Sequence, residues 1–505
     1  MIAQEVSELR KKGELKKAYN LALSALEEDP ENIWNKRALA WVFYDLLKNT
    51  IERNELEKVP KILSYIQNLG LPESESMLFE NIAWKVGKIL FMLKKGEHVD
   101  YALVNRIFDE IKTFPFPKPS ISYTFLYKAF HKNYQNWNRY LEFAIWWDFR
   151  HFQQDDFEKE ELDNGRRLMS IVQQAYIAYS KKLLQGPSND SVLTNRENFK
   201  KRLEEFLPKL EKLIEEHPEY QYPIYYQAKL LHAIGEETKA LDSIIPFARQ
   251  KNSEFWVWSL LAEIVSDDDK KLACLAKALT CKTEPEYVLR VREHMASNLI
   301  DRDFLQEAKT EIKQVLKIRE AKDWKKSELL KNWINSDWYA ETESRRSNNS
   351  FYHQWVPGAE NLLYKDIDET TVIVEYVNRE KKVLNFIDEE RNTGFFNYNN
   401  ELDEVEVGDI LNVKFADRDG DYYSIYTAEK ISKSEESPLI KSFSGNSTII
   451  EEKTIGFVDD VFLPPDIVRH YKIRDGQNIS GSAMPSYDKT KEQWSWEAYH
   501  IDTEK

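Results

Sequence analysis

The period of the hydrophobic pattern changes once along this 505-residue chain, near residue 355. Before that point apolar residues recur at helical spacing. After it, the runs TTVIVEYVN, VLNFID, TGFFNY, DILNVKFA and DYYSIYTAEK alternate or stay apolar over strand-length stretches, separated by charged or Asp-Gly turns. A pattern with one period cannot bury its apolar face in the other secondary structure. The chain is therefore expected to be multidomain, an α-helical part followed by all-β domains. Composition and turn residues set expected boundaries: helices over 1–340, a polar junction at 341–354 (ETESRRSNNSFYHQ), a first small β-barrel over 355–432, a polar linker at 433–447, and a second barrel over 448–505.

Within the helical part the spacing is tightest at KKGELKKAYNLALSALEEDPEN, where Gly13, Ala18, Ala22, Ala25 and Pro30 precede Ala38, Leu39, Ala40 and Phe43. Gly permits a tight turn between paired helices, small Ala lets them approach, and Pro closes the unit. This stretch resembles the second half of a tetratricopeptide repeat. The pattern returns after residue 220 with Ala228, Gly235 and Ala240, then with Trp258, Leu261, Ala262 and Ala278, then with Ala296, Leu299 and Ala308. DWKKSELLKNWINSDWYAET is expected to cap the array, because the last unit of a solenoid must cover its own apolar face. Over about 50–210 the register is lost while the helical period persists. Trp137, Tyr140, Phe143 or Ala144, and Trp147 form an apolar stripe there, and GPSND (186–190) is expected as a surface loop. The resemblance implies an α-solenoid whose concave face holds a protein partner.

Charge is unevenly placed. Residues 351–505 hold 17 Lys and Arg against 31 Asp and Glu, which is −14 of the chain's −15. Phosphate backbones are bound chiefly through Lys and Arg, so this balance opposes a generic nucleic-acid clamp. No apolar run approaches the ~20 residues of a membrane span. The polar, helical start MIAQEVSELRKKGEL is unlike a signal peptide, so a cytoplasmic protein with no membrane partner is expected. Cys274 and Cys281 are too few for a disulfide scaffold and are expected to be buried thiols.

The last fifty residues, from Thr454 to Ile501, pack short β-type runs, one brief helical insert and a terminal aromatic strand. That order and size resemble a five-stranded oligonucleotide-binding (OB) barrel. Cold-shock barrels stack bases on aromatics of adjacent central strands. KTIGFV matches the end of that family's first motif and places Phe457 in a stacking position; DVFLPP matches its second through Phe462. Ile455 replaces one stacking aromatic, and Pro464 stands where the family has histidine. The segment DVFLPPDIVRHYKIRDGQNISG with KEQWSWEAYHI is also similar to the RNA-binding barrel at the front of the transcription terminator Rho. By that resemblance Phe457, Asp460, Phe462, Glu492 and Trp494 fall where a pyrimidine is held. No phosphate loop GxxxxGK[ST] accompanies it.

Alternation assigns Phe457 and Phe462 to definite faces without saying which face is inward, so core packing and base stacking both stay open for them and for Trp494. Trp496 shares a face with Trp494. Lys453, Arg469, Arg474, Lys489 and Lys491 are available for phosphates or for solvent. In the first barrel Thr393, Gly394, Phe395, Phe396 and Tyr398 faintly echo the cold-shock motif, which with Phe386 nearby leaves a second stacking platform open. Asp148, His151, Asp155 and Asp156 place carboxylates and an imidazole at helical spacing; the readings are a metal site or a solvated helix end. No HExxH, GxSxG or paired-cysteine metal motif occurs. The expectation is a non-enzymatic adaptor without cofactor, metal or small-molecule substrate, which binds single-stranded RNA or DNA through the second barrel and a protein through the helices. The rival is a scaffold whose acidic barrels also bind protein. Repeat-plus-barrel chains of this kind resemble accessory or sensor subunits of multi-gene prokaryotic systems, stress and anti-phage systems among them.

Overall fold

A computed structural model describes residues 2–95, 98–161, 165, 167–186, 196–398, 402, 404–431, 437–488 and 491–502 (of Arg196, the backbone only). The chain forms two compact units, Met1–Gln250 with Glu263–Ser266, and Lys251–Ala262 with Asp267–Lys505.

In the first unit the helices Ile2–Lys11, Leu15–Glu28 and Ile33–Glu52 pack on one another in succession. Gly13 makes the first turn with φ +75°, a conformation that costs a residue with a Cβ. Ala18, Ala22 and Ala25 are buried at the helix contact, as the small-residue spacing requires. The helices Gln221–Ala233 and Glu237–Gln250 repeat this device, with Gly235 at φ +86° and Ala228 and Ala240 buried. Between these pairs the small residues give way to large rings. Tyr123, Tyr127, Phe130, Trp137, Tyr140, Phe143 and Trp147 are all buried in one aromatic core. Tyr123 stacks on Trp147 at 4.9 Å and Phe130 on Trp137 at 5.2 Å. The lost register thus has a cause: rings, not alanines, fill the contacts between these helices. The core is not wholly apolar. The Tyr127 and Tyr140 hydroxyls lie 2.7 Å apart, and His131 Nδ1 meets the Tyr140 hydroxyl at 2.9 Å. Two short antiparallel strands, β1 (Glu160–Glu161) and β2 (Arg167–Leu168), also belong to this unit. Residues 187–190 of the expected GPSND loop lie outside the described residues.

In the second unit the helices Leu289–Asp301 and Leu305–Ala321 pair, and Leu330 and Trp333 close their apolar face from the short helix Glu328–Ile334. The expected single capping helix is two, because the chain turns at Asn335 and resumes as Asp337–Glu341. The expected junction also differs. Residues Asn349–Tyr364 form a helix that buries Phe351, Tyr352, Leu362 and Leu363, and the first strand begins only at Thr370. Pro357 and Gly358, both inside this helix, masked its period. Gly358 has a packing role: a Cβ there would sit 3.3 Å from that of Ala273. The segment is held by Glu311, which is fully buried. Its carboxylate accepts from Asn348 Nδ2 (2.6 Å), from Arg292 (2.7 Å) and from the Tyr352 hydroxyl.

The first barrel comprises β3 (Thr370–Asn378), β4 (Val383–Asp388), β5 (Thr393–Asn397), β6 (Ile410–Asp419) and β7 (Tyr422–Ile431). It closes in the order β3-β4-β5-β7-β6, with β5 and β7 parallel at Phe395 and Tyr422 and β6 returning to β3. This is the Greek-key order of a five-stranded OB barrel. The second comprises β8 (Lys441–Asn446), β9 (Thr448–Ile450), β10 (Ile455–Val458), β11 (Val461–Leu463), β12 (Asn478–Asp488) and β13 (Gln493–Ile501), with the helix Pro465–Tyr471 between β11 and β12. Its order is β8-β12-β13-β11-β10-β9. The two edge strands, β8 and β9, are successive stretches of one chain separated by Ser447, so the sheet curls back on itself as a half-barrel. The kink at Ser447, whose hydroxyl donates to the Arg474 carbonyl at 2.7 Å, splits the first strand of this OB-type domain between the two edges. Strand β8 begins inside the stretch expected as linker, and Leu439 just before it is buried with Ile373, Ile387, Ile410 and Met484. The polar residues around Leu439 hid an apolar anchor.

Two outcomes follow from the buried polar groups. Glu311→Ala takes the carboxylate from the buried Arg292 guanidinium, leaving it the Tyr352 hydroxyl at 3.4 Å, and is expected to cost ~3–5 kcal/mol, read as a lowered Tm of the full chain. Burial holds the His131 imidazole down at about 3, so it stays neutral in the fold while an unfolded chain protonates near its ordinary value. Its contribution is complete above the unfolded value and is lost as pH falls toward about 3, which amounts to ~2 kcal/mol between pH 7 and pH 5. His131→Gln should therefore show a smaller drop in thermal stability over that interval than the parent chain; an equal drop would exclude this role.

Candidate nucleic-acid interface

Alternation along the half-barrel decides which aromatics face inward. Val458 of β10 and Val461 and Leu463 of β11 are buried in its core, so Phe457 and Phe462, at the intervening positions, lie on the outer face. They are register partners across β10 and β11, half-buried, with ring centroids 5.5 Å apart. Two adjacent outward rings on neighbouring strands are a stacking platform. Beside Phe462 in the parallel pairing with β13 stands Glu497, which accepts from the Ser486 hydroxyl at 2.8 Å. The carboxylate next to the ring pair is thus Glu497. Glu492, placed there by resemblance, instead occupies the β12–β13 turn at φ +53° and is exposed.

Trp494 belongs to the other face. Trp494 and Trp496 share the parity of Ala498, which is buried in the half-barrel core, and Trp496 packs partly against that core. Phe457, Phe462 and Trp494 therefore do not form one platform, because positions two apart on β13 return to the same side. Trp494 remains 36% exposed, with the Tyr487 ring edge-on at 5.4 Å. The Arg391 guanidinium, from the β4–β5 turn of the first barrel, lies 5.8 Å from the Trp494 ring and 5.5 Å from that of Trp496. Lys441 Nζ lies 5.7 Å from the Trp496 ring while binding the Asp460 carboxylate at 2.5 Å. That bond holds the Asp460 carboxyl below its usual range. Burial lowers the proton affinity of Arg391.

Of the cations available for phosphates or for solvent, those described are exposed. Arg469 is tied to its own helix, through Asp466 at 3.2 Å and the Pro465 carbonyl at 3.1 Å. Lys453 is exposed at the end of the turn Glu451–Lys453, Arg474 is exposed, Lys491 pairs with Asp488 at 3.7 Å, and Lys489 lies outside the described residues. Arg391 and Lys441 went unnoticed because cation–π pairing between distant segments leaves no spacing in sequence.

In the first barrel, Phe386, Phe396 and Tyr398 are buried in the core, so the second platform expected from them does not form. Phe395 faces outward and meets Tyr422 at 5.6 Å across the parallel pairing. The residues weighed for a metal do not lie on one helix. The helix ends at Trp147, Asp148 binds Arg150, and Asp156 accepts from the Thr124 hydroxyl at 2.8 Å. Among the described residues no group of three or more His, Cys, Asp or Glu is placed to hold a metal, and no helix is long and apolar enough to cross a membrane. Cys274 is buried and its thiol is pushed up to about 12; Cys281 is partly buried.

Besides the Arg391 contacts, the barrels meet on the face that carries Glu497. Further along it, Met484 and Tyr499 bury against Ile373, Ile387 and Ile410 of the first barrel. Gly408 makes this possible, since a Cβ there would lie 2.1 Å from the Tyr499 ring.

Three family models match parts of the chain. Residues 364–425 are similar to S1/CSD-like domain 1 of the TOTE conflict systems and residues 441–501 to S1/CSD-like domain 2 of those systems. Residues 221–359 match a domain of unknown function, DUF7017. The first two agree with cold-shock and OB-type domains at these positions. No curated protein matches the chain.

Gly408→Ala is expected to lower the Tm by more than Gly476→Ala does. Both glycines have positive φ, but only at Gly408 does an added Cβ meet a neighbour. The steric share should be ~1–3 kcal/mol. Equal effects would show that the Tyr499 contact is not a firm one.

Proposed function

We propose that the chain is a nucleic-acid-binding accessory subunit of a conflict-type defence system, and that the half-barrel binds single-stranded RNA or DNA on the Phe457–Phe462 ring pair. The observation that carries this reading is the outward pairing of these rings on adjacent central strands of a segment similar to an S1/CSD-like domain. Each ring offers a π-face to a base, and stacking of that kind tolerates sequence. Glu497 and Ser486 border the pair and can accept from or donate to a base edge. With acidic residues in surplus over 351–505, affinity rests on stacking more than on phosphate contacts. The role is one of binding without catalysis. Paired helices with small residues at their contacts support a second role, the holding of a protein partner, as in tetratricopeptide arrays.

A protein-binding scaffold is the rival, favoured by the surplus of 31 acidic over 17 basic residues in 351–505.

Fluorescence anisotropy of the full chain with labelled poly-pyrimidine RNA, the matching DNA and a duplex separates them. Single strands are expected to bind, and Phe457→Ala and Phe462→Ala should each weaken binding about tenfold, since a stacked base is worth ~1–3 kcal/mol. The salt slope should be shallow, because each neutralised phosphate contributes only about −0.7. Circular dichroism checks folding. Absence of single-strand binding at low salt would defeat the proposal and favour the scaffold.

A further inference from the structure

The first unit contains a cleft of about 540 Å³ that no barrel function uses. Its walls are the turns following the helix Tyr140–Trp147 and the helices Ile171–Leu184 and Arg196–Glu216. Rings line its floor: Phe149 meets Tyr176 at 5.1 Å, Tyr176 meets Phe206 at 5.6 Å, and Tyr179 stacks on Phe206 at 4.3 Å. Unlike the neighbouring core aromatics, Phe149 and Tyr176 are only partly buried, so their faces border open volume.

The rim is basic. Arg150, Arg202, Lys209 and Lys212 line the cleft. Asp148 holds Arg150 in place from a strained backbone position, φ +61°, through bonds of 2.8 and 2.5 Å. Arg202 pairs with Glu205 at 2.9 Å and Lys212 with Glu216 at 3.6 Å. Lys209 makes no ion pair or hydrogen bond among the described residues. The Tyr176 hydroxyl likewise makes no hydrogen bond among them. Burial and the Glu216 carboxylate push that hydroxyl up to about 12, so it stays a donor at neutral pH.

An aromatic floor, an uncommitted donor and an unpaired cation within a cleft of ligand size suit one chemistry, a flat heteroaromatic ring joined to an anionic group. We propose that this cleft binds a nucleotide, with the base against Phe149, Tyr176 and Phe206 and a phosphate at Lys209 beside Arg150. The nucleotide can be a free mononucleotide or the terminal residue of a strand, and the proposal is independent of the half-barrel reading.

Isothermal titration calorimetry tests it on the full chain carrying Phe457→Ala and Phe462→Ala, which removes the half-barrel platform. The titrants are ATP, GTP, CTP and UTP, a four-residue oligonucleotide, and inorganic phosphate. Saturable binding of mononucleotides would assign a free ligand, and binding of the oligonucleotide alone would assign a strand end. In either case Lys209→Glu and Tyr176→Leu should each weaken binding about tenfold. Arg150→Glu should also weaken it; Lys209 and Arg150 are exposed, and circular dichroism checks that their variants fold. The proposal is overturned if no nucleotide binds at millimolar concentration, if phosphate alone binds as well as a nucleotide, or if the exposed variants bind unchanged.

Discussion

A carboxylate with no access to solvent needs partners on every side, and Glu311 obtains them from three directions. Arg292 comes from its own helical pair, while Asn348 and Tyr352 come from the segment that leads into the barrels. Leaving any of these buried groups unpaired is costly, so the network specifies where the helix Asn349–Tyr364 begins. The same helix is then held along its length by Gly358 against Ala273 and by Lys277 with Glu360 at 2.6 Å. At its end Tyr364 stacks on Tyr426 of β7 at 4.8 Å and its carbonyl accepts from Lys414 of β6 at 2.8 Å. The first barrel is thereby seated directly on the helices of its own unit.

The half-barrel is seated on the first barrel by a different device. Tyr499 lies over Gly408, Leu439 fills the seam, and Arg391 reaches Trp494 and Trp496. In this acidic region cations are scarce, and two of them, Arg391 and Lys441, stand by tryptophan rings. Lys441 is also paired with Asp460, which further reduces the uncommitted positive charge beside the half-barrel. The outer face of the half-barrel sheet is thus divided between a domain contact on β12 and β13 and a ring pair on β10 and β11.

The helical part was legible wherever the contact residues are small. Gly13, Ala18 and Ala22, and later Gly235 and Ala240, announce helix pairs because close approach tolerates few side chains. Around Trp137 only the register was lost, since rings such as Phe143 and Trp147 fill space that can be packed in many ways. Pro357 and Gly358 concealed a helix because their propensities oppose one, and tertiary contacts at Ala273 override them. At the candidate site, motif and alternation singled out Phe457 and Phe462 but left open which face they take. Glu497, Arg391 and Lys441 were not, because each acts through a neighbour brought close only by strand register or by domain packing.

Local pattern was enough to set the order of architectures, helices and then strands, because the period of burial belongs to each short stretch of chain. It was also enough to place Trp494 and Trp496 on one face of their strand, since the side-chain period of a strand is two. Folding had to settle that Phe457 and Phe462 meet as register partners on the outer face, that Trp494 lies on the opposite one, and that Arg391 of one barrel serves the tryptophans of the next. Those outcomes depend on which strands pair and how the sheet curls. Pairing is a contest among distant segments that no local pattern contains.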